Sequence, residues 1–248
     1  MNLSLNFISR FKIRKILMIV NLCVMLTFTN TVNANIILVG NGWDGPGQGA
    51  VDVKYYFGTM TTDNSLLAGN IHSAFLVAFD AWSNATNNNL TFTETLFSGE
   101  NNSIDISFVN KVHGDNSNFG SRVLAHAFYP DDRNPAIIAG DLHMNDEGFS
   151  WEIGDSLGSA AFDITRIAVH EIGHSIGIGH TQSGFSGNIM DPTISSRGLF
   201  SGLSAGDIDA ACSLYLCDSV KVSEPATLVL ILLGAFWTMI STRRKVRK

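Results

Sequence analysis

Residues 170–180 read HEIGHSIGIGH and carry three histidines in eleven positions. His170 and His174 are four residues apart, so on a helix they lie one turn above each other on one face and can reach one metal ion. Gly177 can adopt a positive φ and end that helix, and the chain then turns back to bring in His180. Three imidazole ligands leave the fourth position of zinc open for water, which is typical of a catalytic site.

Glu171 follows the first of these histidines and is placed to act as a general base on a zinc-bound water. A bare His-Glu-x-x-His pattern also arises by chance, and an ordinary core helix is the alternative interpretation. The longer pattern argues against that alternative, because a buried glutamate is costly without a partner. Met190 follows in the downstream segment NIMDP, residues 188–192.

These residues resemble the metzincin zinc endopeptidases, whose motif is a three-histidine helix followed by a methionine-containing turn. The resemblance implies that Met190 packs beneath the zinc ligands. It also implies an α+β fold of the zincin type, with a twisted, mixed five-stranded sheet, about three helices, an active-site helix and a Met-turn.

A second set of candidate ligands lies upstream. Three histidines and an aspartate without cysteine form a nitrogen and oxygen set suited to tetrahedral zinc. Taken singly, each could be an ordinary surface or core residue. Together they resemble the structural zinc site of the matrixins, the metzincin branch that includes the matrix metalloproteinases, over roughly residues 51–216. The resemblance implies a second zinc held by His113, Asp115, His126 and His143.

The matrixin resemblance has implications for substrate binding. Residues 123–127 match an exposed edge strand with which an extended peptide substrate pairs. Pro192 matches the wall of the specificity pocket, although Ile194 stands where an aromatic residue is usual.

Calcium is a weaker expectation than zinc. Asp141 matches one calcium ligand of the family, and the oxygen-rich surroundings suit a hard cation. Gly120 and Ser121 stand near the place of a missing aspartate, and the acidic cluster at residues 145–147 is shifted in register. A solvated acidic loop explains these residues nearly as well.

Local patterns predict several secondary elements. Alternating β-forming residues predict strands, and apolar residues at helical spacing predict a helix in which His72 has no site role. Asp163 and Ser204 are the predicted N-caps of the active-site helix and the last helix. The predicted strands are residues 51–57, 90–94 and 104–109, and the predicted helix is residues 65–83.

Both ends of the chain look like sorting segments. Residues 1–34 combine a basic start, a short apolar run and a Val-Asn-Ala cleavage site, which predicts a secretory signal peptide; a membrane anchor is the alternative. Residues 221–248 combine Glu-Pro-Ala-Thr, an apolar run and a basic tail. They resemble the PEP-CTERM sorting signal of Gram-negative bacteria, which an exosortase processes, or form a weak membrane anchor. Residues 35–220 then form the metallopeptidase domain.

Charge limits the partners that the central domain can bind, and the cysteine content limits its disulfides. The net charge is −6, but the central part holds seven basic residues against all 22 acidic ones. Such a domain should avoid nucleic acid and anionic membranes, so that contact with a membrane is confined to the terminal segments. Cys212 and Cys217 are the cysteines left after the leader; an exterior location permits a disulfide between them, and the spacing alone leaves the pairing open.

The sequence therefore predicts a secreted or cell-surface zinc endopeptidase that acts on proteins or peptides. Signal peptidase would process it, and the PEP-CTERM resemblance implies processing by an exosortase as well. Two alternatives stay open: a non-catalytic surface binding protein stabilised by zinc, and a zinc hydrolase of a non-peptide substrate.

Overall fold

The computed structural model describes residues 36–43, 50–62, 66–154, 161–182, 187–196 and 198–217. The predicted leader, the C-terminal sorting segment and the first residue of the predicted helix, Ser65, lie outside these residues. Among the described residues, no helix combines the length and the apolar character needed to cross a membrane.

Nine strands and three helices make up the described part of the chain. In order they are β1 (Ile36–Leu38), β2 (Val51–Phe57), α1 (Ala68–Ala85), β3 (Leu90–Glu94), β4 (Ser103–Val109), β5 (Ala125–Ala127), β6 (Leu142–Asn145), β7 (Ser150–Glu152), β8 (Ala161–Asp163), α2 (Ile164–Ser175), β9 (Ile178–Thr181) and α3 (Ala205–Tyr215).

Five of the strands form one mixed sheet in the order β3-β2-β4-β6-β5. The first four are parallel to one another, and β5 pairs antiparallel with β6 at the edge. This confirms the predicted α+β fold with a five-stranded mixed sheet and three helices. Strands β2 and β3 match their predicted bounds, β4 begins one residue early, and α1 is displaced toward the C-terminus, ending at Ala85.

Helix α1 joins the sheet to the active-site helix α2 through a buried aromatic core. Its residues Phe75, Phe79 and Trp82 are at most 3% exposed. Trp82 Nε1 donates a hydrogen bond to the carbonyl oxygen of Val169 on α2 at 2.9 Å. An indole buried at this depth needs such a partner, so the bond fixes how α2 lies against α1.

Helix α3 packs against α1 and β1. Ser204 is its N-cap, as predicted, and forms a capping box with Asp207. At the other end Cys212 and Cys217 form a disulfide, which settles the pairing that their spacing left open. Asn89, just before β3, donates hydrogen bonds to the carbonyl oxygens of Tyr215 and Leu216. The end of α3 is therefore held against the start of β3.

Candidate metal centres

The active-site helix α2 begins at a buried cap. Asp163 is 4% exposed, and its carboxylate accepts hydrogen bonds from the backbone N–H groups of Thr165, Arg166, Gly154 and Phe200. Four donors satisfy the buried charge, and they fix the start of the helix relative to two loops. The predicted N-cap is confirmed.

The three histidines of residues 170–180 meet at one point. Helix α2 ends at Ser175, and Gly177 has φ +99° and donates its N–H to the carbonyl of His174 at 2.9 Å. Strand β9 then carries His180 back, so that Nε2 of His174 and Nε2 of His180 are 3.1 Å apart. The ligand atoms of all three rings lie within 4.8 Å of one another.

Backbone carbonyls orient two of these rings. Nδ1 of His170 donates to the carbonyl oxygen of Ile189 at 2.7 Å, and Nδ1 of His174 donates to that of Ile178 at 2.7 Å. With the proton on Nδ1, the lone pair of each Nε2 faces the shared point, which is the usual outer-shell arrangement of metal-binding histidines. Burial also lowers the pKa of His170 to about 4, so this ring is neutral at pH 7. The donor set fits zinc with an open position.

Glu171 lies beside these ligands without a partner of its own. The residue is 6% exposed, and its Oε2 is buried without a hydrogen bond. Burial raises its pKa to about 8. A carboxylate in this position is stabilised by a cation at the neighbouring histidines, so the unpaired oxygen supports a metal at this point.

The Met-turn packs where it was predicted. Met190 is fully buried, and a Cβ atom added at Gly173 of α2 would lie 2.4 Å from its Sδ atom. Asp207 of α3 accepts hydrogen bonds from the N–H groups of Ile189 and Met190 at 3.0 and 3.4 Å. This role of Asp207 was not predicted; a charged residue at the third position of a capped helix was the available signal.

The second set of ligands converges on one carboxylate oxygen. Oδ2 of Asp115 lies 2.9 Å from Nε2 of His113, 3.0 Å from Nε2 of His126 and 3.0 Å from Nδ1 of His143. The last two nitrogens are 3.1 Å apart. Zinc bonds of 2.0–2.1 Å at tetrahedral angles separate ligand atoms by about 3.3 Å. The four donors therefore have nearly the spacing of a closed zinc site.

Electrostatics support a cation there as well. Burial lowers the pKa of His143 to about 4, so this ring is a neutral donor at pH 7. Burial acts to raise the pKa of Asp115, but the N–H of Ser117 and the three rings lower it to about 2. The set thus offers a carboxylate at Asp115 and a neutral imidazole at His143, the protonation states in which these groups bind metal.

Comparison with known proteins identifies the family. The family model described as Matrixin matches residues 48–216. The chain belongs to the matrixin family. It is 34% identical over 156 residues to metalloendoproteinase 2-MMP of Arabidopsis thaliana (60% of this chain, 38% of the relative). It is 36% identical over 148 residues to metalloendoproteinase 1 of Glycine max (58% and 45%). It is 37% identical over 169 residues to interstitial collagenase of Bos taurus (66% and 32%). The chain thus spans less than half the length of these relatives.

A cavity of about 850 Å³ lies in front of the three-histidine cluster of this matrixin. The edge strand β5 forms one wall, with the residues just before it, and α2 forms the floor. Pro192, the predicted wall of the specificity pocket, and Ile194 also line this cavity. The lining also includes Arg122 and Arg166, which the sequence analysis did not single out.

The residues around Asp141 do not form a comparable cluster. Oδ1 of Asp141 accepts the backbone N–H of Asp105 at 2.9 Å. Burial, with a further contribution from the Asp105 carboxylate, raises the pKa of Asp141 to about 7. Within the described residues, Asp141 belongs to no group of three or more candidate ligands. Asn145 Nδ2 donates to Val123 O, and its Oδ1 accepts from Glu147 N, so this amide serves the loop itself.

Proposed function

We propose that this matrixin is a zinc-dependent endopeptidase whose general base is Glu171. The observation that carries the proposal is the unpartnered, buried Oε2 of Glu171 beside three converging histidines at the floor of an open cavity. A structural zinc site has no use for a carboxylate in that position. The intact glutamate therefore favours catalysis over a purely structural or binding role.

The proposed ligands divide into two sets. His170, His174 and His180 would hold the catalytic zinc, and the set built on Asp115 would hold a structural zinc. A zinc ion in the first set would lower the pKa of a bound water toward about 7 and polarise a carbonyl group. Calcium at Asp141 stays a prediction, since the residue has no converging partners of its own among the described residues.

The chain's own groups would perform the proton transfers. Glu171 would accept the proton of the attacking water and deliver it to the nitrogen of the leaving amine. The carbonyls of Ile189 and Ile178 would keep His170 and His174 in the ligand-competent tautomer throughout. Strand β5, at the sheet edge beside the cavity, would bind the substrate backbone by adding the peptide as a further strand.

A digest of a random peptide library tests this proposal. The zinc-loaded protein should cleave internal peptide bonds, lose activity with a chelator and recover it when zinc is restored. His174→Ala should abolish cleavage and lower the zinc content by one ion. His72→Gln is the matched control, because His72 lies on α1 and stacks on Phe57 outside both clusters. Two bound zinc ions without cleavage of any peptide would favour the binding protein or the non-peptide hydrolase.

We also propose a secreted or cell-surface location, in a Gram-negative bacterium. The support is the signal-like composition of residues 1–34 and the PEP-CTERM-like residues 221–248, with the metallopeptidase domain at residues 35–220. Signal peptidase would cleave after Ala34, and an exosortase would process the C-terminal segment. N-terminal sequencing and intact mass of the exported protein test both cleavages.

A further inference from the structure

Tyr129 places a phenol ring against the three-histidine cluster. It follows the end of β5 by two residues and lines the same cavity as His174 and Glu171. Its ring packs edge-on against the imidazole of His174, with 5.6 Å between the ring centroids and 76° between the ring planes. In the described part of the chain, Tyr129 is the one aromatic residue, other than the histidines themselves, whose ring contacts this cluster. The phenol therefore lies beside the proposed catalytic groups.

The backbone at Tyr129 is fixed before any substrate binds. Its carbonyl oxygen accepts hydrogen bonds from Nδ2 of Asn134 at 2.9 Å and from the N–H of Gly140 at 3.3 Å. Pro130 follows, and a proline disfavours helical backbone at the residue before it. The two hydrogen bonds and the proline together hold the ring in place, so its position beside His174 requires no rearrangement during a reaction.

The hydroxyl group of Tyr129 is available as a hydrogen-bond donor. Within the described ranges, the hydrogen bonds of Tyr129 use its backbone, and its hydroxyl has no protein partner there. A phenol is protonated at pH 7, and burial, with a further contribution from the Glu171 carboxylate, raises the pKa of Tyr129 above its ordinary value. The hydroxyl thus carries a proton that no acceptor among the described residues engages.

The other polar groups at the cluster have different tasks. His170 and His174 donate through Nδ1 to backbone carbonyls, so each presents the lone pair of Nε2 to the shared point. Glu171, as the proposed general base, takes up a proton and passes it on. A donor that keeps its own proton while negative charge develops on a substrate oxygen has to come from another side chain. Tyr129 is packed against the cluster and can supply it.

We propose that Tyr129 is a further catalytic residue, whose hydroxyl donates a hydrogen bond to the carbonyl oxygen of the scissile bond as that oxygen becomes negatively charged. The proposal rests on the endopeptidase function above. When the water oxygen bonds to the carbonyl carbon, the π electrons move to the carbonyl oxygen and Glu171 takes the proton of the water. When the C–N bond breaks, its electron pair stays with the nitrogen, which takes that proton from Glu171, and the carbonyl group re-forms. The phenol keeps its proton throughout and stabilises the charged oxygen.

Kinetics of Tyr129→Phe give the first test. The substitution removes the hydroxyl and keeps the ring that packs on His174. With a peptide recovered from the library digest, kcat of the zinc-loaded variant should fall by about 10- to 100-fold, the range of one hydrogen bond to a charged group, and KM should not change. Tyr56→Phe is the matched control, because it removes a hydroxyl from β2 outside the cavity and should alter neither constant.

Calorimetry with a phosphinic peptide gives a readout that does not depend on turnover. The probe is the hexapeptide Ala-Ala-Ala-Leu-Ala-Ala with a tetrahedral phosphinate in place of the Ala–Leu amide; leucine is chosen because apolar side chains such as Ile167 line the cavity. Tyr129→Phe should bind this anion more weakly than the wild-type protein, by about the factor lost in kcat. The unmodified hexapeptide should bind equally well to Glu171→Gln with and without Tyr129→Phe, since its uncharged carbonyl gains little from the hydroxyl.

Zinc affinity and thermal unfolding separate this role from mere support of the His174 ring. Tyr129→Leu, which removes the ring, should lower the affinity for zinc, whereas Tyr129→Phe should leave zinc affinity and Tm unchanged. A loss of zinc affinity in Tyr129→Phe that matches its loss of kcat would overturn the proposal in favour of a structural role.

The remaining outcomes also decide between the two proposals. Equal weakening of the amide and the phosphinic peptide by Tyr129→Phe would make the hydroxyl a substrate-binding group and overturn its catalytic role. Equal affinity of the wild-type and Tyr129→Phe proteins for the phosphinic peptide would overturn the role of Tyr129 alone. Failure of the wild-type protein to cleave any peptide would overturn the endopeptidase function, while the phosphinic affinities would still show whether the hydroxyl binds a tetrahedral anion.

Discussion

Tyr215→Phe should weaken the whole active-site region, although Tyr215 lies far from both clusters in sequence. The side chain is 1% exposed at the end of α3. Its hydroxyl donates to the carbonyl oxygen of Ile176 at 2.7 Å and accepts the backbone N–H of Trp43 at 3.2 Å. Ile176 is the C-cap of α2, just before the turn that brings in His180.

The expected loss of unfolding free energy follows from the buried polar groups that the substitution leaves without a hydrogen-bond partner. Phenylalanine keeps the ring and its packing but leaves one buried carbonyl and one buried N–H without this partner. Each such group costs about 1–3 kcal/mol, so the two together should cost about 2–6 kcal/mol. For a domain of this size, each kcal/mol corresponds to about 2–4 °C in Tm. Trp43 Nε1 also donates to Ser175 O at 3.0 Å, so the disturbance reaches two carbonyls at the end of α2.

Urea unfolding, monitored by circular dichroism with saturating zinc and with chelator, measures the loss of unfolding free energy. Tyr56→Phe is the matched control, because Tyr56 is partly exposed on β2 and its substitution should stay within about 0.5 kcal/mol. The Tyr215→Phe protein should also need more zinc to reach full occupancy. A stability equal to that of the control would refute the view that this hydroxyl holds the end of α2.

Three further outcomes are expected. Replacing Cys212 and Cys217 together with serine should lower the free energy of unfolding by about 2 kcal/mol, the entropic value for so short a loop; an unchanged urea midpoint under oxidising conditions would contradict it. Gly173→Ala should destabilise the domain by up to about 2 kcal/mol, because its overlap with Met190 costs about 1–3 kcal/mol and better helix propensity returns only about 1; a raised Tm would show that the methionine moves aside freely. His143→Ala should reduce bound zinc from two ions to one by mass spectrometry, and a variant that still binds two would show that the Asp115 set is not a zinc site.

The sequence predicted those parts of the site that depend on local geometry. Two histidines one helical turn apart, a glycine able to adopt positive φ and a third histidine define one cluster within eleven residues. Asp163 could likewise be predicted as an N-cap, since capping depends on neighbours in the chain. The Asp115 set is spread over three loops and strands, and the family resemblance rather than spacing pointed to it.

Contacts between distant segments could not be predicted in this way. The hydroxyl of Tyr215 accepts a hydrogen bond from Trp43 across 172 residues, and only the packing of α3 against α1 and β1 brings them together. The donors that engage the carboxylates of Asp163 and Asp191 likewise come from the folded hydrogen-bond network, since Phe200 N and Thr181 Oγ1 lie in other segments of the chain.

Zinc content and peptide cleavage, both measured on Glu171→Gln, test whether Glu171 is the general base. The substitution keeps the shape of the side chain and leaves all seven proposed ligands in place. We expect two bound zinc ions and cleavage reduced to background. The Tm should change by no more than about 2 °C, which corresponds to about half a kcal/mol for a domain of this size. Cleavage at the wild-type rate with both zinc ions bound would contradict the role of Glu171 as the general base, and with it the proposed mechanism.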